Sequence, residues 1–204
     1  MLKEGCLVRI NNTEEIGTIA QYNLGNPTCW VQIETSDCFA WDFDSSGPDL
    51  DEFNITDLTE LVEVKGDERK LIVENFETII FCSCNPLDPN YLMVLVIRDR
   101  GNEIAVNLFS KIETQIVLTG KRAKLVRGYI AKAKLWFWKK EPVRYGQIFD
   151  GYSWSMKIIS DNRWFLAYGE QNEPLWLRRV FELFAENGLP IVWDSKGPYC
   201  RNER

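Results

Sequence analysis

Histidine is missing from this chain of 204 residues. Without an imidazole there is no Ser-His or Cys-His nucleophile pair, no histidine metal ligand and no side chain whose unperturbed pKa lies near neutrality. Ser-x-x-Lys, Gly-x-Ser-x-Gly and glycine-rich phosphate-loop spacings are absent as well. Only carboxylate or lysine chemistry is left to an enzyme, so we expect a protein with no catalytic residues, no bound metal and no cofactor.

The chain also lacks a long apolar run. No stretch reaches the ~18 consecutive apolar residues of a membrane-spanning helix, and the start, MLKEGCLVRINN, has neither the apolar core nor the cleavage site of a signal peptide. The six cysteines are few, and we interpret them as buried thiols. Cys82 and Cys84 lack a second pair of ligands, which favours core positions over a metal site. These features predict a cytoplasmic protein.

A tryptophan-rich segment at residues 149–188 gives the clearest structural pattern. Large side chains alternate with polar ones at 153–158 and at 164–168, on either side of the turn residues 160–162. This period of two predicts an antiparallel hairpin with one buried face. From Pro174 to Gly188 the period becomes helical, which predicts an amphipathic helix. The residues expected to face the core are Trp176, Leu177, Val180, Phe181, Leu183 and Phe184.

Residues 1–64 contain short alternating segments at 6–10, 16–22, 29–34, 38–43 and 58–64, separated by polar turns. Gly5-x-Leu7-Val8-x-Ile10, Ile16-Gly17-Thr18-Ile19 and Trp30-Val31-x-Ile33 carry a resemblance to the SH3-like small barrels, including the KOW type. The resemblance covers less than a third of the chain. It implies a small all-β binding module rather than a catalytic domain.

Charge is distributed unevenly along the chain. Residues 1–68 contain 15 Asp or Glu and 3 Lys or Arg and so carry −12; because the whole chain carries −6, residues 69–204 carry +6. An acidic barrel is a poor ligand for phosphates. We therefore expect it to bind a basic protein surface.

The densest acidic segment is 42–52, where we predict a partner-binding patch formed by Asp42, Asp44, Asp49, Asp51 and Glu52. Its opening matches the Asp-x-Asp-x-Ser-Gly start of a calcium loop, but the twelfth position, normally a bidentate Glu, is Phe53. This mismatch favours a solvated or protein-contacting loop over a cation site.

The polar residues 65–70 are predicted to be a linker to a second domain at 71–204. The pattern there predicts strands at 76–84, at 91–98 with both faces buried, and at 103–109. Residues 111–140 then carry nine Lys or Arg and one acid, with apolar residues at helical spacing over 125–137. This helix is either a solvated face that complements the acidic barrel, which we favour, or a nucleic-acid contact. The contact would be formed by Lys121, Arg122, Lys124, Arg127 and Lys134.

Asp150-Gly151-x-x-Trp154 resembles the start of hairpin-and-helix modules in small bacterial proteins, which implies a bacterial origin. Residues 197–204 are predicted to be a frayed tail. The sequence thus predicts an α+β protein, with a small all-β SH3-like barrel followed by an antiparallel-sheet α+β domain with two main helices. Its predicted function is non-enzymatic binding or inhibition of a basic protein, as by an immunity protein or antitoxin. The alternative is nucleic-acid binding through residues 121–140.

Overall fold

The computed structural model describes residues 2–34, 50–85, 93–109, 113–138, 152–170, 173–195 and 197–201. The chain divides into two compact units, Met1–Glu63 and Val64–Arg204. The strand predicted at 38–43, the predicted site residues Asp42, Asp44 and Asp49, and the Asp150-Gly151 pair lie outside the described residues.

The first unit is an antiparallel meander. Its elements are β1 (Leu7–Ile10), β2 (Ile16–Gln21), β3 (Thr28–Ile33), β4 (Leu50–Asn54), a 3-10 helix (Ile55–Asp57), β5 (Leu58–Glu60) and β6 (Val62–Glu63). Its five-stranded sheet has the order β4-β3-β2-β1-β5, so β5 returns to pair with β1. The predicted strands at 6–10, 16–22 and 29–34 are confirmed within a residue or so at each end, whereas the one at 58–64 is divided into β5 and β6.

One face of this sheet forms the core of the first unit. Alternate residues of β1, β2 and β3 are buried together: Val8, Ile10, Ile19, Cys29, Val31 and Ile33. Gly17 allows β2 to approach β3 here, because a Cβ on Gly17 would lie 2.4 Å from Cγ1 of Val31 and 2.9 Å from a backbone oxygen. Strand periodicity therefore places the intervening side chains on the opposite face.

The second unit contains three helices and eight strands among its described residues. In chain order they are α1 (Glu68–Glu74), β7 (Thr78–Cys84), β8 (Met93–Asp99), β9 (Glu103–Phe109), β10 (Thr114–Thr119), α2 (Gly120–Lys132), β11 (Ser153–Ser160), β12 (Arg163–Glu170), α3 (Leu175–Glu186), β13 (Ile191–Asp194) and β14 (Gly197–Cys200). A 3-10 helix, Leu135–Phe137, follows α2. Six antiparallel strands lie in the order β10-β9-β8-β7-β11-β12, and β13 pairs with β14.

All three helices contribute to one core with a single face of the large sheet. Ile72 of α1, Val126 of α2 and Phe181 of α3 join alternate strand residues such as Phe81 and Met156 in that core. The first five residues of β8 are all buried, which confirms the prediction of a strand buried on both faces. The predicted hairpin is also confirmed, as β11 and β12.

Three sequence-based predictions for this unit need correction. Helix α1 begins at Glu68, inside the predicted linker, because Ile72 and Val73 bury an apolar side. The tail predicted to fray forms β14 over Gly197–Cys200, paired with β13. The basic helix ends at Lys132 rather than near 137, since Lys134 adopts a left-handed conformation with φ of 51°. Strands β10 and β13 were not predicted.

Candidate binding surfaces

The outward face of β3 and β4 in the first unit carries an exposed tryptophan beside a carboxylate. Trp30 is 41% exposed, because strand alternation turns it away from the buried neighbours on β3. Its partner across the strand pair is Glu52, so the indole and this carboxylate lie on the same face of the sheet. Thr28 donates a hydrogen bond from Oγ1 to Glu52 Oε1 at 2.7 Å. We call Thr28, Trp30 and Glu52 the tryptophan–acid surface.

Two of the five predicted acidic residues thus have a described position. Asp51 and Glu52 are adjacent, exposed residues of β4, so this end of the segment is a strand and not the predicted loop. Asp51 is the partner of the buried Val31 and therefore lies on the opposite face of the sheet from Glu52. Asp42, Asp44 and Asp49 lie outside the described residues. Trp30 was not among the predicted site residues. Its position between two apolar residues of an alternating strand could have predicted that its side chain faces away from the core.

Helix α2 presents its basic residues on the side opposite the core. Ala123, Val126 and Ile130 are buried, whereas Lys121, Arg122, Lys124 and Lys132 are exposed. The 13 residues of this helix include no acid. At 3.6 residues per turn, Lys121, Lys124, Gly128 and Lys132 form a stripe along its outward face, which we call the lysine stripe.

Arg127, one of the predicted nucleic-acid contacts, is instead bound within the unit. Its Nε and Nη2 donate to the two carboxylate oxygens of Asp99 at 2.5 and 2.7 Å, and Nη2 also donates to the Gly101 carbonyl at 2.7 Å. Burial acts to raise the pKa of Asp99, but hydrogen bonds from Arg127 and from the Gly101 backbone outweigh it and hold that pKa below its usual value. Arg127 therefore joins α2 to the β8–β9 turn.

Aromatic side chains of α2 and α3 lie beside the lysine stripe. The rings of Tyr129 and Trp176 stack with centroids 5.4 Å apart and an interplanar angle of 30°. Lys132 Nζ lies 4.6 Å from the centroid of the Trp176 ring. Trp176 is 37% exposed and the adjacent Leu175 is 67% exposed. The prediction that Trp176 faces the core is wrong, because Trp176 lies in the first turn of α3, at the margin of the buried side.

Lys134 follows α2 as an exposed residue, and Phe137 nearby is 69% exposed. Among the residues that the structure describes, Lys121, Arg122, Lys124 and Lys134 make no ion pair. Four of the five predicted basic contacts are thus available to a partner, and Arg127 is not. The surface formed by the lysine stripe and the neighbouring aromatic rings also includes Lys132 and Trp176, which were not predicted as site residues.

A polar cluster at one end of α3 is partly buried. The Tyr152 hydroxyl donates to the Glu173 carboxylate, and Arg178 Nη1 lies 4.0 Å from the same carboxylate. Burial and the bond to Glu173 raise the pKa of Tyr152 far above its usual value, so the phenol stays a proton donor at neutral pH. The Trp193 ring packs against the Tyr152 ring at 6.2 Å. These contacts hold the β13–β14 hairpin and α3 together.

The described thiols do not all match the expected burial. Cys29 and Cys200 are buried, whereas Cys6 and Cys82 are half-buried, and none of these four thiols forms a disulfide. Within the described ranges no group of three or more Cys, Asp or Glu side chains is placed to hold a metal ion. No helix in those ranges has the length and apolar character needed to cross a bilayer.

Comparison of the chain with protein-family models, with curated proteins and with solved structures finds no match.

Proposed function

We propose that this protein is a non-enzymatic, cytoplasmic binding module whose first unit, a small SH3-like barrel, recognises a basic protein. The return of β5 to β1 in the meander supports the barrel, because it brings the last strand of the sheet back to the first. The exposed Trp30 beside Glu52 is the observation that carries the function.

The chemistry of this surface suits arginine or lysine. A guanidinium or ammonium group can lie on the face of an indole while a carboxylate beside the ring pairs with its charge. Residues 1–63 carry 13 acids and 2 bases, a net charge of −11, which would speed association with a basic surface and repel nucleic acid. An immunity protein or antitoxin that neutralises a basic partner is a concrete case.

The test is capture of partners from the native cell on the immobilised full-length chain, followed by elution with a salt gradient. We expect a retained protein with a basic surface that elutes at moderate salt. In the Glu52→Gln variant it should elute at lower salt, and in Trp30→Ala it should no longer be retained. Both positions are exposed, so these changes should remove contacts with the partner without unfolding the sheet.

A matched control is Glu14→Gln, which removes the same charge from the β1–β2 connection of the same unit. It should leave retention near that of the wild type. If Glu14→Gln and Glu52→Gln weaken retention equally, or if the retained protein is acidic, the tryptophan–acid surface is not the recognition site.

A further inference from the structure

We propose that the lysine stripe and the Tyr129–Trp176 stack together bind single-stranded nucleic acid, with phosphates at the lysines and a base on the indole. This surface belongs wholly to the second unit and is independent of the function proposed for the first. It differs from the contact set predicted from sequence, since Lys132 and Trp176 join it and Arg127 does not.

Charge is the first argument. Helix α2 directs Lys121, Lys124 and Lys132 outward with no acid on the helix, and residues 64–204 carry a net charge of +5. A nucleic-acid strand carries one negative charge at each phosphate, so a row of lysines can pair with successive phosphates along it. Each lysine that neutralises a phosphate releases counterions, so the affinity would fall steeply with salt.

The aromatic pair distinguishes a single strand from a duplex. A base can stack on Trp176 only when it is not stacked between its own neighbours, which is the case in single strands. The indole is 37% exposed, and Tyr129 supports it at 5.4 Å. Lys132 Nζ lies over this ring, so it must move off the indole when a base stacks there. Its position three residues after Tyr129 then lets it pair with the phosphate of that base.

Gly128 gives a third argument. It lies in the middle of α2, one turn from Lys124 and one turn from Lys132 on the same side, and apart from the adjacent residues and backbone of its own helix no atom lies within 4 Å of the Cβ that it lacks. Nothing inside the unit therefore requires glycine at a position where alanine favours the helix. A missing side chain between two lysines lets a sugar-phosphate backbone come close to the helix.

The test is fluorescence anisotropy of the full-length protein with a labelled oligothymidylate of about 12 nucleotides, a length within known site sizes. Binding is measured between about 50 and about 200 mM salt. Three further probes of equal length are a strand of abasic sites, a DNA duplex and a poly-glutamate peptide. We expect the oligothymidylate to bind most tightly of the four.

Two variants separate the roles of the lysines and the indole. Lys124→Gln/Lys132→Gln should reduce the slope of log affinity against log salt by about 0.7 for each lysine. Trp176→Leu keeps an apolar side chain and should raise the dissociation constant for oligothymidylate roughly tenfold while leaving that for the abasic strand unchanged. The control, Lys3→Gln/Lys65→Gln, removes two exposed charges elsewhere and should keep the wild-type slope.

Absence of oligothymidylate binding at low salt would overturn the proposal. Equal or tighter binding of the abasic strand would show that no base stacks on Trp176. Tighter binding of the duplex or of poly-glutamate would show that this surface binds a duplex or an acidic peptide instead of a single strand. None of these results bears on capture of a basic protein by the first unit, so the two proposals stand or fall separately.

Discussion

The indole of Trp154 occupies the space in which Gly169 would carry a side chain. The two residues are partners across β11 and β12, and a Cβ on Gly169 would lie 2.6 Å from ring atoms Cε2 and Cζ2 of Trp154. Trp154 is 1% exposed, and the Trp138 ring packs on it at 5.4 Å. The ring therefore fills a site bounded by the bare backbone of β12.

Substitution of Gly169 by alanine should destabilise the protein by about 1–3 kcal/mol, because the new methyl group overlaps a ring that is enclosed by its neighbours. Gly169 does not have a positive φ, so contact and not backbone strain decides the effect. The free energy of unfolding from a urea titration measures it. A variant as stable as the wild type would show that Trp154 has room to move.

The same change at Gly128 should have the opposite sign. Gly128→Ala adds a methyl group with no atom within 4 Å, in the middle of a helix, and should raise the free energy of unfolding by about 0.5–1 kcal/mol. It also serves as the control for Gly169→Ala in the same titration. If the lysine stripe binds a strand as proposed, the more stable variant should bind oligothymidylate more weakly.

The Arg127–Asp99 pair should make stability fall in acid. The pKa of Asp99 is lower in the folded protein than its unfolded value near 3.9, so its contribution is present above that pH and is lost as the pH falls through the folded-state pKa. Asp99→Asn should lower the free energy of unfolding by about 1–3 kcal/mol at pH 7, because a charge-assisted hydrogen bond between two partly buried side chains is lost.

Urea titrations of the wild type and of Asp99→Asn at several pH values, from neutral down to about pH 2, measure this contribution. The difference between the two proteins should shrink toward zero below about pH 4, because the wild-type carboxyl becomes protonated. Asp161→Asn is the control, as its ion pair with Arg163 is exposed. A difference that stays constant with pH would mean that the pair contributes through packing alone.

Removal of the Tyr152 hydroxyl should destabilise the cluster at the start of α3. Tyr152→Phe keeps the ring packing but leaves the mostly buried Glu173 carboxylate with only the distant Arg178 guanidinium. The free energy of unfolding from a urea titration should therefore fall by about 1–3 kcal/mol. Tyr129→Phe removes a hydroxyl from a stacked ring at the surface and should change little. Addition of Glu173→Gln to Tyr152→Phe should recover part of the lost stability. If the effects of the two substitutions on the free energy of unfolding simply add, the two side chains do not stabilise each other.

Local periodicity was sufficient for the elements whose apolar residues recur without interruption. Strand β8, the β11–β12 hairpin and α3 were predictable because the pattern of apolar residues within each element indicates which side chains are buried. Strand β10 was missed because only Leu118 in it is buried, and β14 was missed because its strand character depends on pairing with β13. An element at a sheet edge or in a terminal hairpin owes its structure to neighbours that its own residues do not encode.

The candidate surfaces follow the same division. Composition and charge patterning determined that the first 63 residues are acidic, that α2 is basic and that histidine chemistry is absent. Only the tertiary structure decided which of those charges face outward. It pairs Arg127 with Asp99 across 28 residues, exposes Trp176 on Tyr129, and sets Trp30 beside Glu52. The physical reason is that periodicity specifies a side chain's direction within its own element, whereas an ion pair or a ring stack depends on which elements the folded core brings together.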